Sequence, residues 1–400
     1  MSIKKTFIPV VFSTALLVAC GSDDNNNPPQ PSPDAAWSAV TLTTLYNDGG
    51  SSDIEIINLD EEILTATANY SPSTITDFSL AAEGQYYYKI GRFNLDTVSK
   101  YDITDPINPV FADYSTKDNN DDDTSNPYNL VFVNETKAYL LRYADAKIWI
   151  VNPSAAQEED FKIGEIDLSA YADIDGSPEA SQGVIIGDKL FVILQRLEYY
   201  VPNNTAYAAV IDTNTDEEID LNIDTNLKGI PLQGRNPLSI RYHEAAGLFV
   251  QSVGDYGDSY SANPRPIGYS GGIEKIDLET YTTRLIVDDG DADNHPYGQI
   301  SGLALINENT AYFVGYAGWG DTTLYRFNPT TGEVSRTAEE NNLAGIDIRF
   351  LETGPENRLW VGIADIAQPY ITLLDPQADS ILAQIETSQN PTDLVFVKAP

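Results

Sequence analysis

Seven times along this chain an apolar run ends in an Asn or Asp: Ile57-Asn58, Tyr101-Asp102, Val151-Asn152, Ile211-Asp212, Ile276-Asp277, Phe327-Asn328 and Leu374-Asp375. A short polar side chain at that point can accept a hydrogen bond from the backbone of its own turn, so each pair reads as a β-strand leaving into a tight turn. The spacing is about fifty residues, and 400 residues exceed the usual reach of one hydrophobic core. A chain built this way must stack equivalent units.

The unit is clearest at 129–168. Apolar runs at 129–133, 138–143, 148–151 and 161–168 predict four strands, joined by turns at Asn134-Glu135, 144–147 and Asn152-Pro153. First strands of equivalent units are expected near Ile75, Asn129, Gly183, Pro237, Gly302, Gly345 and Thr392. Three of them follow the same dipeptide: Asn126-Pro127, Asn236-Pro237 and Asn390-Pro391. No long stretch has helical periodicity.

The two ends complement one another. Strands are expected at 40–46, 53–59 and 63–70, and a single strand at 393–397. Pairing the last with the first three completes a seventh four-stranded sheet, the closure that leaves a β-propeller with few exposed sheet edges. The expected fold is therefore an all-β, seven-bladed β-propeller over residues 37–400. A pair of β-sandwiches or a large β-helix would not require seven equivalent turns with complementary termini. Asp212-Thr-Asn-Thr-Asp-Glu-Glu-Ile219 and Asn328-Pro-Thr-Thr-Gly-Glu-Val334 resemble the repeats of YncE or YVTN-type propellers, a likeness that covers the chain after residue 36. It implies the fold and little about activity, since propellers host enzymes and passive binders alike.

Residues 1–19 read as a secretory signal: Lys4-Lys5, then a mostly apolar stretch of about thirteen residues, too short to span a bilayer. Leu17-Val18-Ala19-Cys20 resembles the lipobox of bacterial lipoproteins, which implies lipidation of Cys20, the only thiol. Residues 20–36 are then a tether of Ser, Asp, Asn, Pro and Gln with nothing to bury. Gly21 after the Cys resembles outer-membrane sorting, and Asp23-Asp24 resembles a surface-export signal, so the leaflet stays open. The expected location is the cell envelope, as an outer-membrane lipoprotein facing the periplasm or the surface.

Composition narrows the chemistry. One Cys and two His cannot supply a disulfide framework or a Cys/His zinc site. Sixty Asp and Glu against 23 Lys and Arg, a formal charge of −37, disfavour nucleic acid and anionic lipid as partners. In a propeller, loops between second and third strands share one face with loops between blades. There the sequence places Arg92, Arg142, Tyr143, Arg196, Tyr256, Tyr316, Trp319 and Tyr370, with Tyr46, Phe93, Tyr128, Tyr199, Tyr200, Arg235, Tyr260, His295 and Tyr297 nearby. Arg and aromatic side chains around a basin would stack on and hydrogen-bond a flat, polar or partly anionic small molecule. The same residues would serve equally as strand formers and as Arg–Asp pairs, and both readings stand.

Asp289, Asp291 and Asp293 alternate like the first half of a calcium loop. Ile300 stands where the bidentate Glu belongs, so no EF-hand is expected and calcium is left open. Residues 118–123, and Asp173 with Asp175, form further acidic loops. No nucleophile elbow or phosphate-binding glycine loop is present, and His243 and His295 read as turn or packing residues. Binding is favoured over catalysis, with no catalytic residue named and no cofactor required. The leading reading is a lipid-tethered propeller that captures a small molecule for an outer-membrane transporter, resembling in plan the surface lipoproteins that capture cobalamin. An interaction or adhesion platform and a calcium-dependent periplasmic hydrolase or lactonase are the alternatives.

Overall fold

The computed structural model describes residues 36–46, 50–118, 123–224, 226–259, 264–336 and 343–400. The expected signal, the lipobox with Cys20 and most of the tether lie outside the described residues, as do 119–122 of one acidic loop and Tyr260. Residues 36–400 form one compact unit.

The turns come first, because they set the strands. In all seven Asn and Asp turns the side-chain oxygen accepts the backbone N–H two residues on, at 2.8–3.1 Å. This local bond ends the third strand of each unit whatever the rest of the chain does.

The strands assemble into an all-β propeller. One sheet joins Trp37–Leu45, Ser51–Asn58 and Ala66–Thr67 to the C-terminal strand Asn390–Lys398. Four more separate sheets begin at Phe78–Glu83, Pro127–Asn134, Ala180–Ile186 and Pro237–His243. The remaining strands, Gln299–Asn307 through Ser380–Glu386, make a single eight-stranded sheet rather than the two separate sheets expected. The cause is local: Thr322 and Thr323 pair with Ile346 and Ala344, and the Thr322 hydroxyl donates to the Ile346 carbonyl (2.6 Å) and accepts the Ile348 N–H (2.9 Å). Trp37 through Thr44 run antiparallel to Lys398 through Asn390. First strands of successive sheets touch in chain order, and Asn390–Lys398 touches both Ala344–Thr353 and Phe78–Glu83.

Apolar clusters fill the spaces between consecutive sheets. Tyr139, Ile150, Val192 and Ala209 share one such space, and Val40, Leu42, Leu80 and Tyr87 another. Val314, Leu324, Leu351 and Val361 lie in the same way between the two halves of the eight-stranded sheet. Middle strands are covered on both faces, so 190–194 reads as a continuous apolar run with every residue at most 1% exposed. Each such side chain contributes about 1.5–3 kcal/mol.

Part of the acidity is structural. Buried Asp96 accepts the backbone N–H groups of Ser125 and Asn126 and the Thr124 hydroxyl. Glu274 holds the N–H groups of Gln233 and Gly234, and Glu55 that of Ser388. These carboxylates clamp the chain where it passes between sheets, in places where an unpaired backbone donor would be costly.

Among the described residues, six of the first strands carry a β-bulge near their starts against their second strands. The residues left unpaired there are Tyr128, Ser181, Leu238, Gly302, Arg349 and Thr392. A bulge re-aims a side chain out of the pleat, and here it does so where the first strands begin, near one end of the ring. That end carries the second-to-third-strand loops.

Candidate functional site

Two hollows adjoin on this face. The larger, about 950 Å³, is lined by Trp319, Arg349, Asp365, Tyr370, Gln389 and neighbours. The smaller, about 520 Å³, is lined by Tyr256, Gln299, Tyr316, Trp319 and Arg349 among others. Trp319, Gly320, Asp347 and Arg349 belong to both, so the bulge residue Arg349 and the 79% exposed Trp319 form the ridge between them. The Arg349 guanidinium lies 4.7 Å from the Trp319 ring centroid, and its Nη2 donates to Asp347 at 2.6 Å.

Two polar atoms at this ridge are buried and lack a partner among the described residues: the donor Nε of Arg349 and the acceptor Oε1 of Gln299. Gln299 spends its other end on the scaffold, with Nε2 donating to the carbonyls of Val253 (2.9 Å) and Asp255 (3.0 Å). Those bonds, and the Arg265–Asp255 ion pair at 2.6 Å, hold the loop that carries Tyr256. Gly298 sets the start of the Gln299 strand. Its φ is +67°, and a Cβ there would stand 2.2 Å from the Tyr316 carbonyl oxygen, so only glycine fits. Tyr256 meets Tyr316 edge to face at 5.9 Å. Burial pushes the Tyr256 phenol up to about 12, which keeps it a neutral donor at ordinary pH. Burial and Asp365 likewise push Tyr370 up.

The eight residues expected to share one basin divide. Tyr256, Tyr316, Trp319 and Tyr370 line the two hollows. Arg92 and Tyr143 instead satisfy each other's neighbourhood: Arg92 pairs with Asp77 and lies 4.8 Å over the Tyr128 ring, Tyr128 stacks on Tyr143 at 4.5 Å, and the Tyr143 hydroxyl donates to Gln195 at 2.7 Å. Arg142 is fully buried and ion-paired with Asp145 (2.8 Å) and Asp118 (3.3 Å) over the Trp149 ring, its Nε without a hydrogen-bond partner among the described residues; it lines neither hollow and is a packing residue. Arg196 directs its guanidinium to the carbonyls of Tyr171 (2.7 Å) and Thr205 (3.0 Å). The residues missed by sequence reading are Arg349 and Gln299. Both belong to first strands, outside the loops searched, and no spacing rule marks a bulge.

Nearer the central axis, Arg241 pairs with Glu352 at 2.6 Å, joining the first strands Pro237–His243 and Ala344–Thr353, both packed on Gln299–Asn307. Asp393 accepts the N–H groups of Leu80 and Leu394, both at 2.8 Å. Burial pushes both carboxyls up.

The acidic loops turn their carboxylates onto their own backbone. Asp291 accepts from Asp293 and Asn294, Asp173 from Asp175, and Asp175 from Ser177. Asp289 is wholly buried against the Gly271 N–H, where burial pushes it up to about 6, while Asp293 is exposed. Among the described residues no three His, Cys, Asp or Glu are grouped to hold a metal.

No family model matches the chain, and no curated protein matches it. Solved structures do. The chain is similar to a candidate 6-phosphogluconolactonase from Bacteroides fragilis, with TM-score 0.58 and 15% identity over 92% of this chain and 100% of that one. It is similar to a protein from Lactobacillus plantarum, with TM-score 0.58 and 11% identity over 91% and 99%. The Dos1 propeller matches with TM-score 0.52 and 12% identity over 90% and 88%. At these identities the likeness concerns the fold, and the class it defines is the β-propeller.

Proposed function

We propose that this is a lipid-tethered propeller of the cell envelope that binds a flat, polar or partly anionic small molecule across the Trp319–Arg349 ridge and passes it to an outer-membrane uptake system. One observation carries the binding reading: a buried donor, Arg349 Nε, and a buried acceptor, Gln299 Oε1, stand without partners at the lining of one hollow. Buried polar groups are nearly always satisfied, and a ligand with a matching acceptor and donor would satisfy both. The exposed Trp319 indole adds a stacking surface.

The architecture belongs to the same proposal. The eight-stranded sheet is read as two blades, because an apolar cluster separates its halves as it separates the other sheets. That makes seven blades of the YncE or YVTN-repeat plan, closed by Asn390–Lys398. The lipid anchor at Cys20, the signal before it and the outer-membrane location rest on the lipobox resemblance.

Thermal-shift measurements on the full chain with cofactors, sugars, siderophores and divalent cations test the reading. An organic ligand that raises Tm for the native chain and for Arg92→Ala, but not for Trp319→Ala or Arg349→Ala, is the expected result. A response to calcium alone would shift the assignment to a metal-dependent hydrolase. No response at all would favour an interaction platform, for which the exposed Tyr46, Tyr200 and Ile366 on this face are the supporting residues.

A further inference from the structure

The opposite end of the sheets carries a further hollow, of about 560 Å³, between the two halves of the eight-stranded sheet. Antiparallel alternation puts it there: Asn309 and Thr310 follow the first strand of one half, Arg358 follows the first strand of the other, and Gln377 follows its third strand. Arg326 and Arg358 both line it.

Arg326 is the unusual group. Acids outnumber bases 60 to 23 in this chain, yet half-buried Arg326 makes no ion pair among the described residues. Its one side-chain hydrogen bond among the described residues runs from Nη2 to the Thr310 hydroxyl at 3.0 Å. Arg358 differs, since its Nη1 is held by Asp375 at 2.6 Å, which fixes the guanidinium in the wall. The hollow therefore offers one uncommitted planar cation, a second cation locked in position between the carboxylates of Asp375 and Glu356, and the amides of Asn309 and Gln377 around them. Planar guanidinium donation matches a carboxylate or phosphate oxygen pair, and amide, hydroxyl and carboxylate groups beside it match sugar hydroxyls. The wall is also strained at this point: Glu356 (φ 59°) and Asn357 (φ 55°) are consecutive left-handed residues, a conformation costing about 1 kcal/mol or more for a side chain such as Glu.

We infer that this hollow is a binding site for an anionic sugar, with Arg326 receiving the carboxylate or phosphate and the surrounding amides and Asp375 receiving the hydroxyls. It lies at the other end of the sheets from the Trp319–Arg349 ridge, so the two assignments stand or fall separately.

Isothermal titration of the full chain at low ionic strength with glucose 6-phosphate, glucuronate, inorganic phosphate and uncharged glucose tests it. At least one anionic sugar should bind, more tightly than phosphate, with glucose silent. Arg326→Gln should weaken that binding by about tenfold or more, the scale of a lost charge-assisted hydrogen bond, while Trp319→Ala leaves it unchanged. Asn309→Ala, in an exposed turn, is the second variant and should weaken it by about threefold, as for a neutral hydrogen bond. Absence of binding by both anionic sugars up to about 10 mM, weaker than any specific site of this size should show, would overturn the inference. So would unchanged affinity in Arg326→Gln and Asn309→Ala, or phosphate binding as tightly as the sugars.

Discussion

Two stretches of the same face use similar residues to opposite ends. Around Arg92, the bulge residue Tyr128 sits between a guanidinium and a second tyrosine, and Asp77 and Gln195 take up the polar atoms. Around Arg349, the bulge residue is itself the guanidinium, its aromatic partner is the exposed Trp319, and its own Nε and the nearby Gln299 Oε1 are left without a partner among the described residues. The first arrangement is closed and the second is open. Residue type therefore does not mark a binding site here. What separates the two is exposure: Tyr128 is held between Arg92 and Tyr143, whereas Trp319 stands 79% exposed beside Arg349.

If that contrast is right, substitutions in the closed region should change stability, and those in the open region should change binding. Arg142→Ala should bring the largest loss of stability, about 3 kcal/mol read by denaturant unfolding, because it removes the cation between Asp145 and Asp118 and leaves an empty slot in the core. A loss below about 1 kcal/mol would mean that the buried pair contributes little beyond its surroundings.

Next comes a pH effect at Glu179, which is buried in the closed region with its carboxylate accepting the Leu197 N–H. Burial, reinforced by Asp175 and Asp173, pushes it up to about 8 from an ordinary 4.5. A carboxyl raised in the folded state contributes stability that is fully present below about 4.5 and is lost as pH rises through about 8. Glu179→Gln should accordingly leave Tm nearly unchanged at low pH and raise it at high pH, by the equivalent of up to about 5 kcal/mol. Parallel melting curves for the two chains across that range would contradict it.

A matched pair of variants sharpens the comparison directly. Arg92→Ala should cost about 1 kcal/mol from the Asp77 pair and the Tyr128 contact, with ligand affinity unchanged. Arg349→Ala should cost no more in stability and remove most of the binding. Equal effects of both on affinity would merge the two regions into one site. The smallest effect is expected at a turn: Asn328→Ala removes an acceptor for Thr330 and Thr331 and should cost about 0.5–1 kcal/mol, readable as a small shift in the denaturation midpoint.

The strand plan was legible because its signals are local. Expected strands at 129–133, 138–143, 148–151 and 161–168 appear as Pro127–Asn134, Lys137–Arg142, Lys147–Val151 and Lys162–Asp167. The strand expected at 63–70 shrinks to Ala66–Thr67, where Asn69 and Ser71 give their N–H groups to the Asp53 carboxylate instead of a ladder. The site was half legible. Tyr256, Tyr316, Trp319 and Tyr370 could be placed because loop position alone brings them to one face. Arg142 and Arg196 could not be told from them, since whether a guanidinium faces solvent or a neighbouring carbonyl depends on the adjacent sheet.

A strand exit capped by its own Asn or Asp involves residues two apart, so its energetics are written into the local sequence, and repetition of that unit was enough to imply a stacked all-β architecture. Bulge register, sheet fusion at Thr322 and the unfilled space beside Arg349 involve residues from different units. Each is settled by packing between strands tens to hundreds of residues apart in the chain, and only the assembled tertiary structure supplies those neighbours.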